Sequence, residues 1–244
     1  MRIRVLGRLT IPSMATRHMF ASVVLIAAVG VPLPAQKANQ PRVSAIDTSY
    51  LSCTFWNGHE WTDRTARSAR TQMAESPKGF RAYGEVSVVL SEEFCQNTTT
   101  LYVASGAEQT FKVVYTKADS EGNGIHLIGW SPSGEKILAE VNTWEYETDG
   151  GFDHIALIYD ASTGSAKEIP AVSQAVSHHF GPDCEFELAI AGWKTDAQIL
   201  VKVSRSPKSE SYEQHSCVNR PRTFVFDLSR NALQLEPQEA FGRK

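Results

Sequence analysis

Gly129-Trp130-Ser131-Pro132-Ser133-Gly134-Glu135-Lys136-Ile137-Leu138 is the stretch on which the fold is decided. Ser131 to Gly134 reads as a tight turn, with proline setting φ and glycine free to take φ > 0. The segment before it, Ile125 to Trp130, reads as a strand (a), and Lys136 to about Tyr146 reads as the next (b). Asp149-Gly150 is a hairpin signal. Phe152 to Asp160 follows as strand c, Ala161 to Gly164 is a second turn, and Ala166 to Ile169 is strand d. Four strands joined by short loops predict an antiparallel meander. Strand c is apolar on both faces, through Ile155, Ala156, Leu157 and Ile158, so stacked sheets must cover both of its sides.

The unit recurs. Ser76-Pro77-Lys78-Gly79 is followed by Arg81 and by Glu85-Val86, as Ser131-Pro132-Ser133-Gly134 is followed by Lys136 and by Glu140-Val141. A third copy starts at Trp193 with one residue deleted in its turn. Its strand b is Ile199 to Val203, and its partner strand is Thr223 to Asp227. Fixed-order similarity at such spacing indicates an array of supersecondary units. The expected blades are 76–118, 125–170 and 187–236.

The Trp-Ser-Pro-x-Gly turn, the basic residue and apolar strand after it, and the later Ile158-Tyr159-Asp160 resemble the TolB-type (WD40-like) β-propeller repeat. The resemblance covers most of residues 76–236 and departs in two places. Ser133 stands where the repeat has Asp, and the third copy lacks the Pro and Gly of the turn. It implies blade architecture and carries no activity. Propellers have about 4–8 blades. Three copies therefore imply an all-β, incomplete or small propeller-like array, with residues 36–75 as an N-terminal cap. The run 62–75 reads as a helix.

Arg2, Arg4, Arg8 and Arg17 precede an apolar run from Met19 to Val31, closed by Pro32 and Pro34. This reads as a secretory signal over residues 1–35, too short for a membrane span. Its removal leaves 20 Lys and Arg against 27 Asp and Glu, a net charge near −7. Bulk electrostatics then exclude a nucleic-acid partner. The expected location is periplasmic or secreted. Four cysteines in an exported chain predict two disulfides. Cys184 precedes strand a of the third copy and Cys217 lies in its b–c connection, at one sheet edge. Cys95 lies in the b–c connection of the first copy, which leaves Cys53 of the cap as its partner.

Catalytic motifs are missing. There is no Gly-x-Ser-x-Gly, no His-Glu-x-x-His, no phosphate-binding loop and no Gly-x-Gly-x-x-Gly. His178 and His179, with Asp183 and Glu185 nearby, read as residues of an inter-blade loop rather than a metal site. Glu147, Asp149 and Asp153 read as a solvated hairpin tip, and no cofactor is expected. Asn97-Thr98-Thr99 matches a glycosylation acceptor and carries little weight in a chain of bacterial style. The three b–c connections are expected to share one rim. Trp144, Tyr146, Tyr212, His215, Arg220 and Arg222 are its candidate contact residues, since aromatics beside arginine favour recognition. Trp130 and Trp193 are repeat positions and belong to the core. The sequence thus points to a non-enzymatic binding or scaffolding module for an envelope or extracellular protein or glycan. The alternatives are a small hydrolase or lyase using His178, His179 or His215, and a structural subunit whose open sheet a partner chain completes.

Overall fold

The computed structural model describes residues 48–236, apart from 57–58, 60, 64–66, 91–94, 107, 109, 120–121, 146–152 and 207–216. The expected signal over residues 1–35 lies outside the described residues, as do Tyr146, Tyr212, His215, Glu147 and Asp149.

Three antiparallel sheets account for most of the fold. Sheet I orders β3 (Ser68–Arg70), β5 (Arg81–Leu90), β6 (Cys95–Ala104) and β7 (Lys112–Asp119), with β4 (Ala74–Glu75) pairing β5. Sheet II orders β11 (Ser165–Ile169), β10 (Asp153–Asp160), β9 (Lys136–Trp144) and β8 (Gly122–Trp130). Sheet III orders β12 (Phe186–Thr195), β13 (Gln198–Arg205), β14 (Arg222–Asp227) and β15 (Ala232–Leu235). Each is the a-b-c-d meander that the repeat predicts, and the turn glycines Gly79 and Gly134 take φ of +83° and +74°.

The sheets are stacked face on face. Val86, Val88, Leu101 and Val103 of sheet I meet Ile125, Ile137, Val141 and Leu157 of sheet II in one buried cluster. Leu138 and Ile158, on the other face of sheet II, meet Ile190, Val201, Phe224 and Phe226 of sheet III in a second. The middle sheet is therefore covered on both sides, as the apolar strand c requires. Each fully buried aliphatic or aromatic side chain in these layers contributes about 1.5–3 kcal/mol of transfer free energy.

A repeated contact fixes the stacking. Strand a of sheets II and III bulges at Leu127/Gly129 and at Ile190/Gly192. Gly129 and Gly192 take φ of +144° and +153°, a region open to glycine and closed to bulky residues. Each bulge turns the following tryptophan toward the preceding sheet. Trp130 Nε1 donates to the Ala74 carbonyl at 3.1 Å, and Trp193 Nε1 donates to the Gly129 carbonyl at 2.9 Å. The a–b turns are also linked in series. Ser76 Oγ donates to the Gly134 carbonyl at 2.6 Å, and the Ser133 amide donates to Asp196 Oδ1 at 2.8 Å.

The two best-matched copies differ by one residue in register. The Ser76 amide closes its turn on the Phe80 carbonyl, whereas the Ser131 amide closes on Lys136, one place further along the repeat. With a side-chain period of 2, this slip sends matched residues to opposite faces. Glu85 points outward beside Arg70, while Glu140 is buried between sheets II and III.

Two expectations for local structure change. The run 62–75 holds β2 (Trp61–Asp63, paired with β1, Thr54–Trp56), β3 and β4 in place of a helix. β3 and β4 complete the strand-a position of sheet I against β5, a tertiary demand that outweighs local helix propensity. The one helix among the described residues, α1 (Ala171–Phe180), holds His178 and His179, which the sequence reading assigned to a loop. Its Val172 and Val176, four residues apart, are fully buried under sheets II and III.

The N-terminal segment does act as a cap. The Ile125 amide donates to the Thr48 carbonyl at 2.9 Å, and Thr48 Oγ1 donates to the Ile125 carbonyl at 2.7 Å, so β8 is not left as an open edge there. Leu51 and Cys53 are buried in the first core.

Candidate functional site

The disulfides pair as expected. Cys53 is joined to Cys95 with Cα atoms 5.9 Å apart, and Cys184 to Cys217 with Cα atoms 5.5 Å apart. Two disulfides indicate an oxidising compartment. No helix among the described residues is long and apolar enough to cross a membrane.

Of the six predicted rim residues, Trp144, Arg220 and Arg222 are among the described residues. Trp144 ends β9 opposite Gly122 of β8 and is only 5% exposed. Its indole fills the space a Cβ at Gly122 would need, with Nε1 1.9 Å from that position, and it lies 4.8 Å from the Tyr50 ring. Trp144 is therefore a core residue packed under the cap rather than a contact residue. Arg220 and Arg222 are exposed. Tyr146, Tyr212 and His215, the partners expected for them, lie outside the described residues. Asn97 is fully buried, and its amide donates to the Leu51 carbonyl at 2.6 Å and to the Asn123 carbonyl at 2.9 Å. A side chain so enclosed cannot accept a glycan.

A different surface carries aromatic and arginine side chains together. The outer face of sheet I, turned away from sheet II, presents Arg70, Tyr83, Glu85 and Tyr102. The cross-strand pair Tyr83 and Tyr102 stacks with centroids 4.7 Å apart and planes 13° from parallel. The Arg70 guanidinium sits 5.1 Å from the Tyr83 centroid and is ion-paired with Glu85, which holds its pKa above the usual value. Phe111 meets Tyr83 edge-on at 5.0 Å, and the Arg81 guanidinium lies 5.3 Å from the Phe111 centroid. Burial, and then the nearby Glu85 carboxylate, push the Tyr102 phenol up, so it stays a neutral donor and acceptor at neutral pH. Val113, paired with Tyr102 on the neighbouring strand, is 57% exposed. The repeat alignment hides this surface, because Tyr83 is matched there to the buried Leu138. The Ser76–Phe80 closure reverses its facing. Alternation of Tyr83, Glu85 and Ser87 against Ala82, Val86 and Val88 is the sequence signal that reveals it.

A concave site lies between α1 and β15. The cleft has a volume of about 590 Å³, and its walls include Gln174, His178, His179 and Asn231. Among the described residues no carboxylate lines it. Among the described residues there is no group of three or more His, Cys, Asp or Glu side chains placed to hold a metal ion.

His154 and Glu140 form the one histidine–carboxylate pair recorded among the described residues, with Nδ1 3.0 Å from Oε1. The second oxygen, Oε2, accepts the Ile190 amide at 2.6 Å. Oε2 thus ties sheet II to sheet III, Oε1 ties β9 to β10 within sheet II, and the pair is structural.

Comparison of the chain with family models, with curated proteins and with solved structures gives no match.

Proposed function

We propose that the chain is an exported, non-enzymatic binding or scaffolding module of the periplasm or the extracellular space. In this reading the sheets form a degenerate TolB-type array whose contact surface is the outer face of sheet I. The observation that carries it is the Arg70–Tyr83–Tyr102 column, on the face of sheet I opposite its buried residues Val86, Val88, Leu101 and Val103. Tyrosine and arginine are enriched at the energetic centres of protein interfaces. Stacking and the Glu85 ion pair hold these side chains before any partner arrives, which lowers the entropy lost on binding. Arg81, which donates to the Glu108 carbonyl at 3.1 Å, adds positive charge to one face of an otherwise acidic chain and favours a partner protein with carboxylates at the contact. The basic lead and apolar run of residues 1–35, together with the two disulfides, support export.

The test is affinity capture from an envelope extract with wild-type protein and with Tyr102→Ser and Arg81→Glu, each first shown by circular dichroism to keep its β-sheet spectrum. The expected result is a partner retained by wild type and weakened at least tenfold by either substitution. A partner held equally by all three places recognition elsewhere and removes this face from the account.

A further inference from the structure

The cleft beside α1 is built for a ligand of a definite kind. Ala171, Gln174, Ala175 and His178 recur at spacings of three and four and so line one face of the helix. Opposite them stands Asn231, the only described non-glycine residue with positive φ, at +50°. Its turn is held by Asp227, whose Oδ1 accepts the Ser229 and Arg230 amides at 3.0 and 3.1 Å. The His179 ring is fixed edge-on against Phe180 at 4.9 Å and Phe224 at 5.1 Å. The four polar wall residues are exposed, so the cleft opens to solvent, and about 590 Å³ lies within the range of small-ligand sites.

The wall chemistry selects the ligand. Gln174, His178, His179 and Asn231 are amides and imidazoles, each able to donate and to accept a hydrogen bond. The side chains of Gln174, His178 and Asn231 make no hydrogen bond with another described residue. Among the described residues no Asp, Glu, Lys or Arg lines the cleft, so a charged ligand would find no fixed counter-charge there. Hydroxyl groups donate and accept at the same atom, which matches this wall. Ala171, Ala175, Ala232 and Leu233 leave an apolar floor that suits the C–H face of a sugar ring. We propose that the cleft between α1 and β15 binds a neutral, hydroxyl-rich ligand, namely a sugar residue, either free or as the end of a glycan. This site is separate from the outer face of sheet I and stands whether or not that face docks a protein.

The experiment is a two-dimensional NMR titration of the histidine ring protons in the full mature chain with glucose, galactose and N-acetylglucosamine, each compared with sodium acetate and sodium phosphate. At least one sugar is expected to shift His178 and His179 with a Kd of about 1 mM or tighter, while both anions leave them unmoved. Gln174→Ala, His178→Ala and Asn231→Gly are expected to weaken that sugar tenfold or more. All three preserve the local backbone, since alanine favours helix and glycine accepts positive φ. A short oligosaccharide of the bound sugar separates the two sources. Tighter binding than the free sugar assigns a glycan end, and equal binding assigns a free sugar. The proposal is overturned if no sugar in the panel shifts the rings, if the shifts survive all three substitutions, or if either anion binds as well as the best sugar.

Discussion

Replacing Glu140 with alanine probes the joint between sheets II and III at its most demanding point. The carboxylate is 6% exposed and accepts the His154 ring at 3.0 Å and the Ile190 amide at 2.6 Å. Hydrogen bonds to a charged group contribute about 1.5–3 kcal/mol each, and a buried donor left without a partner costs about 1–3 kcal/mol. Glu140→Ala removes both bonds and strands the Ile190 amide inside the second core, so the expected loss is about 3–5 kcal/mol. Glu140→Gln is the informative companion. Its amide oxygen can still accept from Ile190, and its amide nitrogen can donate to Nδ1 of the other His154 tautomer. The expected loss is then about 1–2 kcal/mol. Urea unfolding followed by tryptophan fluorescence and by far-ultraviolet circular dichroism measures both, read as midpoint shifts at constant slope. A loss below about 1 kcal/mol for Glu140→Ala, or equal losses for the two variants, would refute the reasoning that this carboxylate ties the sheets together.

Three further outcomes are expected. Trp144→Ala should cost about 3–5 kcal/mol by leaving a cavity under the cap, and Gly122→Ala should also unfold the protein more readily because its Cβ would occupy the place of the Trp144 indole. Near-neutral urea midpoints for both would return Trp144 to the surface. Cys184→Ser should lower stability by about 4 kcal/mol on the chain-entropy model, a Tm loss of about 8–16 °C for a chain of this size. An unchanged melting curve would show that the bond closes no stabilising loop. Asp160, Asp196 and Asp227 have carboxyls held below the usual range, chiefly by hydrogen bonds from the Ser162 hydroxyl, the Ser133 amide and the Ser229 hydroxyl respectively. A depressed folded value adds stability that is complete above the unfolded pKa of about 3.9 and is lost as pH falls through the folded value. The urea midpoint should therefore fall as the medium is acidified past that unfolded value. The triple Asp→Asn variant should show a shallower acid limb, and an identical limb would contradict the assignment.

Much of this architecture is legible in the chain, for identifiable reasons. The Ser-Pro-x-Gly turns and the doubly apolar strand c encode both the meander and its stacking, because turn chemistry and period-2 burial are local signals. The cysteine pairing follows once the strands are placed, since Cys184 and Cys217 flank one sheet edge. Trp130 and Trp193 read as core for the same reason, and both are partly buried, packed against the two clusters. What stays hidden depends on contacts made elsewhere. β3 and β4 are strands because β5 needs partners, and their residues taken alone favour helix. α1 has a weak local signal, with Pro170 at its start, Gly181 after its end and Val172 and Val176 one turn apart. Trp144 reads as a rim residue because the cap that covers it, through Tyr50, is remote in sequence. The outer aromatic face is masked by a one-residue difference in turn closure that a sequence alignment of the repeats does not register.

The stacking of the three sheets is tested most directly by nuclear Overhauser contacts from two indole N–H protons. Trp130 Hε1 should contact the backbone of Ala74, across the joint between sheets I and II, and Trp193 Hε1 should contact Gly129, across the joint between sheets II and III. Observation of both is the predicted result. Indole protons that contact residues of their own sheet alone, or that exchange freely with water, would contradict the stack.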